Sequence, residues 1–429
     1  MNYFLRVSLK RCRQKTGRPY YADPARFALG ESQPHRGPTE MPEGFASQPP
    51  SSPTPLSQPS STRETPAWLN GIYAGICLYF FLAAINVMGA GLKSIGPGVK
   101  NLLEQAHNPV VALMGGVIVT GIIQSSSFTT SLIITLVAAG QMDLETAIFA
   151  VMGANIGTSI TNNFVAGFTM RIRDQFRRAY GAALMHGNVN LLTVAVLFPL
   201  EWATGWLTQV SMWAAGLLGL SAQQEPNSPI KAITQPVVEA FDGVAGLFTS
   251  SAQTQGKILA VMGLALLFLM LVLMVKNLKG ALLRRVEGLF SSVLFRNDLM
   301  AGIVGVISTI FVQSSSVTTS LMIPLAGAGA VESKRVFPFM LGCNLGTTVT
   351  GLLAASANPA AAAVGVAICH VTFNVIGCAV WYPLRFIPIG LARWYAELAA
   401  MSRRYYFLYI LVVFFLVPGI GYLIVRLVT

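Results

Sequence analysis

The tetrapeptide Gln-Ser-Ser-Ser occurs twice in the chain, at Gln124–Ser127 and at Gln313–Ser316, and each copy interrupts an apolar stretch. Further hydroxyl residues follow each copy, namely Thr129, Thr130, Ser131, Thr318, Thr319 and Ser320. Small donors at a break in a helix, together with free backbone N–H groups and the positive end of a helix dipole, attract an anion. The two motifs therefore predict a pair of anion-binding helix tips.

The hydrogen-bonding capacity of these side chains restricts which anion they can bind. Hydroxyl groups donate to oxyanion oxygens, and a glutamine carbonyl or a hydroxyl lone pair accepts from a protonated oxygen. Hydrogen phosphate offers both kinds of partner, whereas sulfate has no proton to donate. We predict that phosphate is bound by Gln124, Ser125, Ser126, Ser127, Gln313, Ser314, Ser315 and Ser316. The alternative is that Ser and Thr only allow close helix packing, and the duplication favours binding.

A second duplicated motif follows each cluster, GANIGTSIT at Gly153–Thr161 and GCNLGTTVT at Gly342–Thr350. The glycines permit unwinding, so we expect a helix break in mid-membrane whose exposed oxygens coordinate Na⁺. The predicted Na⁺ ligands are Thr129, Thr130, Asn155, Thr158, Thr318, Thr319, Asn344 and Thr347. The alternative interpretation of the motif is a close, glycine-mediated helix crossing.

A third pair of motifs has the form His-x-x-x-Asn, at His186 with Asn190 and at His370 with Asn374. Residues at this spacing share a helix face, and we expect the histidines to be buried packing residues that do not contact the substrate.

No Asp or Glu lies within a predicted span, and Glu201 is placed at the end of one. Proton-coupled carriers usually rely on carboxylates or His in the membrane, so coupling to Na⁺ through neutral oxygens is favoured. No nucleophile, base and orienting acid can be assembled. We therefore expect neither an enzyme nor a cofactor.

The composition places these motifs in a membrane. The chain is 53% hydrophobic and 11% charged, with a mean hydropathy of +0.60. Apolar runs of roughly 20 residues, the length that spans a bilayer, start near Ala67, Ile148, Ala179, Ile258, Phe337, Ala361 and Tyr405. Backbone groups in lipid must be paired within the segment, so we expect an all-α integral membrane protein.

The motifs lie within a longer internal repeat. Residues 108–161 align without a gap to residues 297–350, with 23 of 54 positions identical, a register that chance does not keep. The stretch 108–140 is too short for two spans, so we predict a re-entrant hairpin with the serines at its tip. Charged loops indicate that the first hairpin enters from outside and the second from inside. Such inverted-topology repeats with broken helices provide alternating access to one central site.

The domain organisation follows from the repeat and from the charges. We predict a disordered leader over 1–66, a first transmembrane repeat over 67–222, an extracellular linker over 223–256 and a second transmembrane repeat over 257–429. The net charge is +12, and the basic leader indicates a cytoplasmic N-terminus in a multi-pass inner or plasma membrane protein. We expect the protein to be surrounded by membrane lipid and not to bind nucleic acid.

The paired QSSS and G-x-N-x-G-T motifs, with the segments DQFRRAYGAALMH, LFPLEWATGWL and PIKAITQPVVEAF, resemble the type II sodium-dependent phosphate cotransporter family. The resemblance extends from about Trp68 to the C-terminus. It implies inverted repeats, Na⁺ binding and uptake of inorganic phosphate. Contacts from the two QSSS tips map onto 124–127 and 313–316.

One departure from the family concerns the position after His186. Many animal members carry Asp there, associated with an extra, charge-carrying Na⁺ site, whereas this chain has Gly187. The resemblance therefore implies electroneutral symport. The alternatives are a transporter of another small oxyanion, sulfate or arsenate, or else an anion channel or membrane scaffold.

Overall fold

The computed structural model describes residues 67–95, 107–218, 229–292 and 297–428. Every regular element in these ranges is a helix, and six helical stretches are long and apolar enough to cross a membrane. The predicted all-α membrane fold is therefore confirmed. The predicted leader, 1–66, lies outside the described residues, and the domain boundaries stay predictions.

The described helices follow one another without strands between them. In the first half they are α1 (Ala67–Ile95), α2 (Pro109–Ile123), α3 (Ser126–Ala138), α4 (Leu144–Thr158), α5 (Ile160–Gly167), α6 (Arg173–Thr204) and α7 (Trp206–Leu217). They continue with α8 (Pro229–Gly246), α9 (Ala252–Ser292), α10 (Asp298–Val312), α11 (Ser315–Gly327), α12 (Ser333–Ala357), α13 (Ala361–Trp381), α14 (Phe386–Met401), α15 (Arg403–Leu411) and α16 (Val417–Val428). Helix α8 thus lies within the predicted polar linker.

Six of the seven predicted spans correspond to membrane-length helical stretches, and the one near Ile148 does not. That run is divided at Ser159 between α4, of 15 residues, and α5, of 8 residues. At 1.5 Å per residue, α4 covers only about 22 Å of a hydrocarbon core about 30 Å thick. The apolar run that begins near Ile148 is therefore a broken helix and not one membrane-length helix.

Each Gln-Ser-Ser-Ser motif forms the turn between two short helices. Gln124 and Gln313 adopt left-handed backbone conformations, with φ of 58° and 55°, and end α2 and α10. Ser125 and Ser314 are extended, and their hydroxyls cap α3 and α11 by accepting from backbone N–H groups. The helices of these pairs have 15 and 13 residues. The predicted interruption of the helix at both motifs is therefore present.

The expected helix break at the Gly-x-Asn-x-Gly-Thr motifs is wrong for the second copy, which lies inside continuous α12. At the first copy, α4 ends at Thr158, the last residue of the motif. Here the glycines serve close packing. A Cβ at Gly157 would lie 2.7 Å from Thr120 Cβ, and one at Gly346 would lie 2.8 Å from Thr309 Cβ. The alternative interpretation, a glycine-mediated crossing of α2 with α4 and of α10 with α12, is the one observed.

The helices that follow the two tips pack across the halves. Helix α3, from the first half, contacts α12 and α13 of the second, and α11 contacts α5 and α6 of the first. Because each tip helix lies against long helices of the opposite half, the two serine clusters are carried into the same region.

Candidate functional site

The two Gln-Ser-Ser-Ser motifs contact each other directly. Ser127 Oγ donates a hydrogen bond to the main-chain oxygen of Gln313 at 3.1 Å, and Thr350 Oγ1 donates to Gln313 Oε1 at 2.8 Å. Ser127 Oγ also lies 3.4 Å from Thr350 Oγ1. Residues from the two repeats thus form one polar centre.

The helix termini at this centre carry positive electrostatic potential. Helices α3 and α11 begin at Ser126 and Ser315, directly after the tips. The first N–H groups of a helix have no intrahelical acceptor, and the helix dipole adds about half a positive charge at that end. Two such termini beside each other form a site suited to an anion.

Several hydroxyl groups at the centre are buried without a hydrogen-bond partner. Within the described residues these include Thr130 Oγ1, Ser131 Oγ and Ser316 Oγ. An unpaired buried polar group costs about 1–3 kcal/mol, so an accumulation of such groups calls for an explanation. A bound oxyanion, which accepts from hydroxyl groups, would satisfy Ser316, which lies in the first turn of α11.

The threonines predicted to bind Na⁺ direct their protons back to their own helices. Thr129 donates to Ser125 O and Thr318 to Ser314 O, at 3.1 and 3.0 Å. The hydroxyls of Thr158, Thr319 and Thr347 are likewise within 2.9 Å of a carbonyl four residues earlier. A hydroxyl whose proton is so engaged presents lone pairs to its surroundings. Thr130 is the exception, with an unpaired hydroxyl.

The two motif asparagines are joined to histidines of the opposite half. Asn344 Oδ1 lies 2.6 Å from His186 Nε2, and Asn155 Oδ1 lies 3.4 Å from His370 Nε2. Asn190 extends the network, since its Oδ1 accepts from Asn344 Nδ2 at 2.7 Å. One lone pair of each amide oxygen is therefore engaged, and the assignment of Asn155 and Asn344 to Na⁺ stays a prediction.

Two further residues belong to this centre, Asn162 and Thr350, and neither was predicted from the sequence as a site residue. Asn162 Oδ1 lies 2.9 Å from Thr319 Oγ1 and 3.3 Å from Ser320 Oγ. Asn162 Nδ2 also lies 3.1 Å from His186 Nδ1. Thr350 is the last residue of the duplicated GCNLGTTVT segment, so its repetition as Thr161 was a usable signal. Asn162 has no such signal, because its counterpart in the repeat is Gly351.

The carboxylate of Glu201, near the C-terminal end of α6, is used in a structural role. Glu201 is buried, and it accepts from the backbone N–H groups of Leu207 and Thr208 at 2.6 and 3.2 Å and from the Thr208 hydroxyl. It therefore caps the N-terminus of α7. Among the described residues no cluster of three His, Cys, Asp or Glu side chains could hold a metal.

Fold and site together define a multi-pass helical membrane protein with one buried, hydroxyl-rich centre made by two repeated segments. The model of the Na⁺/Pi-cotransporter family matches residues 80–222 and 266–402. The chain therefore belongs to that family. Because the family is one of cotransporters, the expectation that the chain is not an enzyme is confirmed.

Curated relatives include sodium-dependent phosphate transport proteins. The chain is 31% identical over 417 residues to protein 2A of Rattus norvegicus, covering 80% of the chain and 66% of the relative. It is 30% identical over 459 residues to protein 2B of Bos taurus, covering 83% and 66%, and 28% identical over 434 residues to protein 2B of Homo sapiens, covering 80% and 63%. The matches thus span somewhat under two thirds of these relatives. No solved structure shows a significant match.

Proposed function

We propose that the chain carries out Na⁺-coupled symport of inorganic phosphate by alternating access, without net charge movement. The observation that carries the proposal is the contact between the two tips, in which Ser127 Oγ donates a hydrogen bond to Gln313 O at 3.1 Å. Buried hydroxyl groups without a hydrogen-bond partner lie beside this contact. The family membership and the names of the relatives support the same activity.

In this proposal phosphate binds between the N-termini of α3 and α11. Ser125 and Ser126 donate from the first tip, and Ser314, Ser315 and Ser316 donate from the second. Ser127 joins them when its hydrogen bond to Gln313 O is released. A Gln124 or Gln313 oxygen accepts the proton of hydrogen phosphate. The two helix dipoles offset part of the anion's charge without a fixed cationic side chain.

Sodium in this proposal binds to threonine and asparagine oxygens, those of Thr129, Thr130, Asn155, Thr158, Thr318, Thr319, Asn344 and Thr347. The protons of most of these hydroxyls are directed at carbonyls of their own helices, so the oxygens can accept a cation. Each bound Na⁺ then favours the phosphate nearby through their opposite charges.

Electroneutral transport is supported by the surroundings of Gly187. A Cβ there would lie 3.2 Å from Ser159 Oγ and 3.3 Å from the Tyr409 hydroxyl oxygen, both neutral. The position therefore offers no fixed negative charge for an additional Na⁺.

The test is uptake of radiolabelled phosphate into proteoliposomes with simultaneous recording of membrane current. We expect accumulation only under an inward Na⁺ gradient, with no net current, and competition by arsenate stronger than by sulfate. Equal uptake in K⁺ buffer would reject coupling to Na⁺. An inward current with uptake would reject electroneutrality, and preferential uptake of sulfate would reject phosphate as the substrate.

A further inference from the structure

The two tips have the same sequence but different environments. Gln313 is 8% exposed, and its two oxygens accept hydrogen bonds from Ser127 and Thr350. Gln124, its counterpart, is exposed. The residues that precede the two glutamines differ in exposure in the same way: Ile123 is half-buried, whereas its counterpart Val312 is fully buried. The second tip is therefore closed and the first open.

The hydroxyls that close the second tip have exact sequence counterparts at the first. Under the offset of the repeat, Ser127 corresponds to Ser316 and Thr350 to Thr161. The hydroxyls of both Ser316 and Thr161 are buried and lack a hydrogen-bond partner. Because each pair consists of identical residues, the difference between the two tips at these positions is conformational.

The unpaired hydroxyl of Ser131 has a different origin. Thr319 and Ser320 both contact Asn162 Oδ1, whereas their counterparts Thr130 and Ser131 are unpaired. The counterpart of Asn162 is Gly351, which has no side chain to offer. Sequence thus accounts for Ser131. It does not account for Thr130, because Thr319 also donates to Ser315 O at 2.7 Å and the counterpart of that oxygen, Ser126 O, is present in the first repeat. It does not account for Ser316 and Thr161 either.

The backbone near the two threonines differs as well. Thr161 follows the helix break at Ser159, whereas Thr350 lies within continuous α12. Ser159 Oγ and its counterpart Thr348 Oγ1 both donate to the carbonyl three residues earlier, at 2.7 Å. Bonds of this kind favour bending of a helix, so both helices carry the same local means of bending.

We propose that Thr350–Gln313–Ser127 and Thr161–Gln124–Ser316 are two alternative latches, of which one closes at a time, with Thr350 and Thr161 as the positioning residues. The inference rests on the proposed function, because a carrier closes its site on one side at a time. In the described conformation the first of these latches is closed.

When one latch opens and the other closes, the serine hydroxyl that is free to donate to phosphate also changes. With Ser127 engaged on Gln313, the hydroxyl of Ser316 is unpaired and can donate to the anion. In the opposite state Ser316 binds Gln124 O, and Ser127 is released. The anion therefore has one serine hydroxyl as a donor in both states, while the closed latch changes from one tip to the other.

The experiment measures thiol labelling of two reporter variants, Ile123→Cys and Val312→Cys, in purified protein without Na⁺ or phosphate. Neither reporter is a latch residue, and the chain without an introduced cysteine gives the background. In the otherwise unchanged chain, Cys at 123 reacts and Cys at 312 is protected. Thr350→Val removes the hydroxyl at nearly constant shape, so it opens the closed latch.

With Thr350→Val we expect labelling at 312 to rise and labelling at 123 to fall, changing their ratio about fivefold, as for the loss of one net hydrogen bond. Thr161→Val weakens the other latch and moves the ratio in the opposite direction. Thr350→Ser keeps the hydroxyl and behaves as the parent.

The proposal is overturned if both valine variants move the ratio the same way, if labelling at both reporters rises together, or if the ratio stays unchanged. Thr161→Val removes a hydroxyl that has no partner here, so this variant still decides the sign if Thr350→Val does not fold. Because the assay needs no transport, a negative uptake experiment with a positive labelling result would reject the proposed function alone.

Discussion

At the scale of the residue, the polar centre depends on where hydroxyl protons go. The protons of Thr129 and Thr318 are used within their own helices, whereas Ser316 has an uncommitted hydroxyl. A committed hydroxyl is an acceptor for a cation, and an uncommitted one is a donor for an anion. Neighbouring Ser and Thr side chains, which carry the same hydroxyl group, can therefore bind ligands of opposite charge.

Replacing Ser316 by Ala tests this distinction. Because its buried hydroxyl has no protein partner, Ser316→Ala removes an unpaired polar group and raises thermal stability without phosphate. It weakens phosphate binding by about 1–3 kcal/mol, the worth of a hydrogen bond to an anion. Thermal unfolding in Na⁺ buffer, across a phosphate titration, measures both effects.

The matched control is Ser127→Ala, which removes the hydrogen bond to Gln313 O at 3.1 Å. This variant loses about 1 kcal/mol of stability in the absence of phosphate. If Ser316→Ala destabilised the phosphate-free protein as much, and bound phosphate normally, Ser316 would be structural.

At the scale of the element, the positions of the tips depend on close helix crossings. The glycines of the second duplicated motif let α4 approach α2, and α12 approach α10, at backbone distance. The interruption at each Gln-Ser-Ser-Ser could be predicted from sequence, because polar residues in an apolar stretch followed by a Ser N-cap mark it. The role of the glycines could not, since the same residues permit both unwinding and close packing.

Gly346→Ala is expected to destabilise the protein by about 1–3 kcal/mol through overpacking. Its new methyl group would lie 2.7 Å from Val306 O and 2.8 Å from Thr309 Cβ. The control is Gly115→Ala on α2, where no atom lies within 4 Å and the higher helix propensity of Ala is stabilising. Thermal unfolding in detergent compares the two, and equal stability of both variants would contradict the close crossing.

Asp298 connects three elements at the start of α10. Its carboxylate pairs with Arg335 of α12 at 2.7 Å and with Arg385, which precedes α14, at 2.5 Å. Partial burial opposes ionisation, but the hydrogen bond from Arg385 and the charges of both arginines outweigh it and hold the pKa of Asp298 below its ordinary value of 3.8. A lowered pKa contributes stability that is present above the ordinary pKa and is lost as the pH falls from there through the lowered pKa of the folded state.

We therefore expect the parent protein to lose more thermal stability than Asp298→Asn when the pH is lowered from 6 to about 3. Asp174→Asn serves as the control, because Asp174 is largely exposed and lies 3.8 Å from its nearest arginine nitrogen. Parallel pH profiles for the parent and Asp298→Asn would show that the ion pairs do not contribute to stability.

At the scale of the whole molecule, the two halves are joined by exchanged contacts. His186 of the first half meets Asn344 of the second, and His370 of the second meets Asn155 of the first. The repeat could be predicted from sequence. The approach of the two tips could be predicted too, because the duplicated motif leads us to expect that both contribute to one site. The specific pairs could not, since a buried histidine's partner is fixed by tertiary packing and not by the spacing along its own helix.

The most direct measurement of the central claim is the stoichiometry of radiolabelled phosphate binding to the purified chain in Na⁺ buffer. If the two tips form one site, the chain binds one phosphate, and Ser126→Ala and Ser315→Ala each weaken binding at that same site. Two phosphates per chain, with each substitution affecting only half of the bound label, would contradict a shared site.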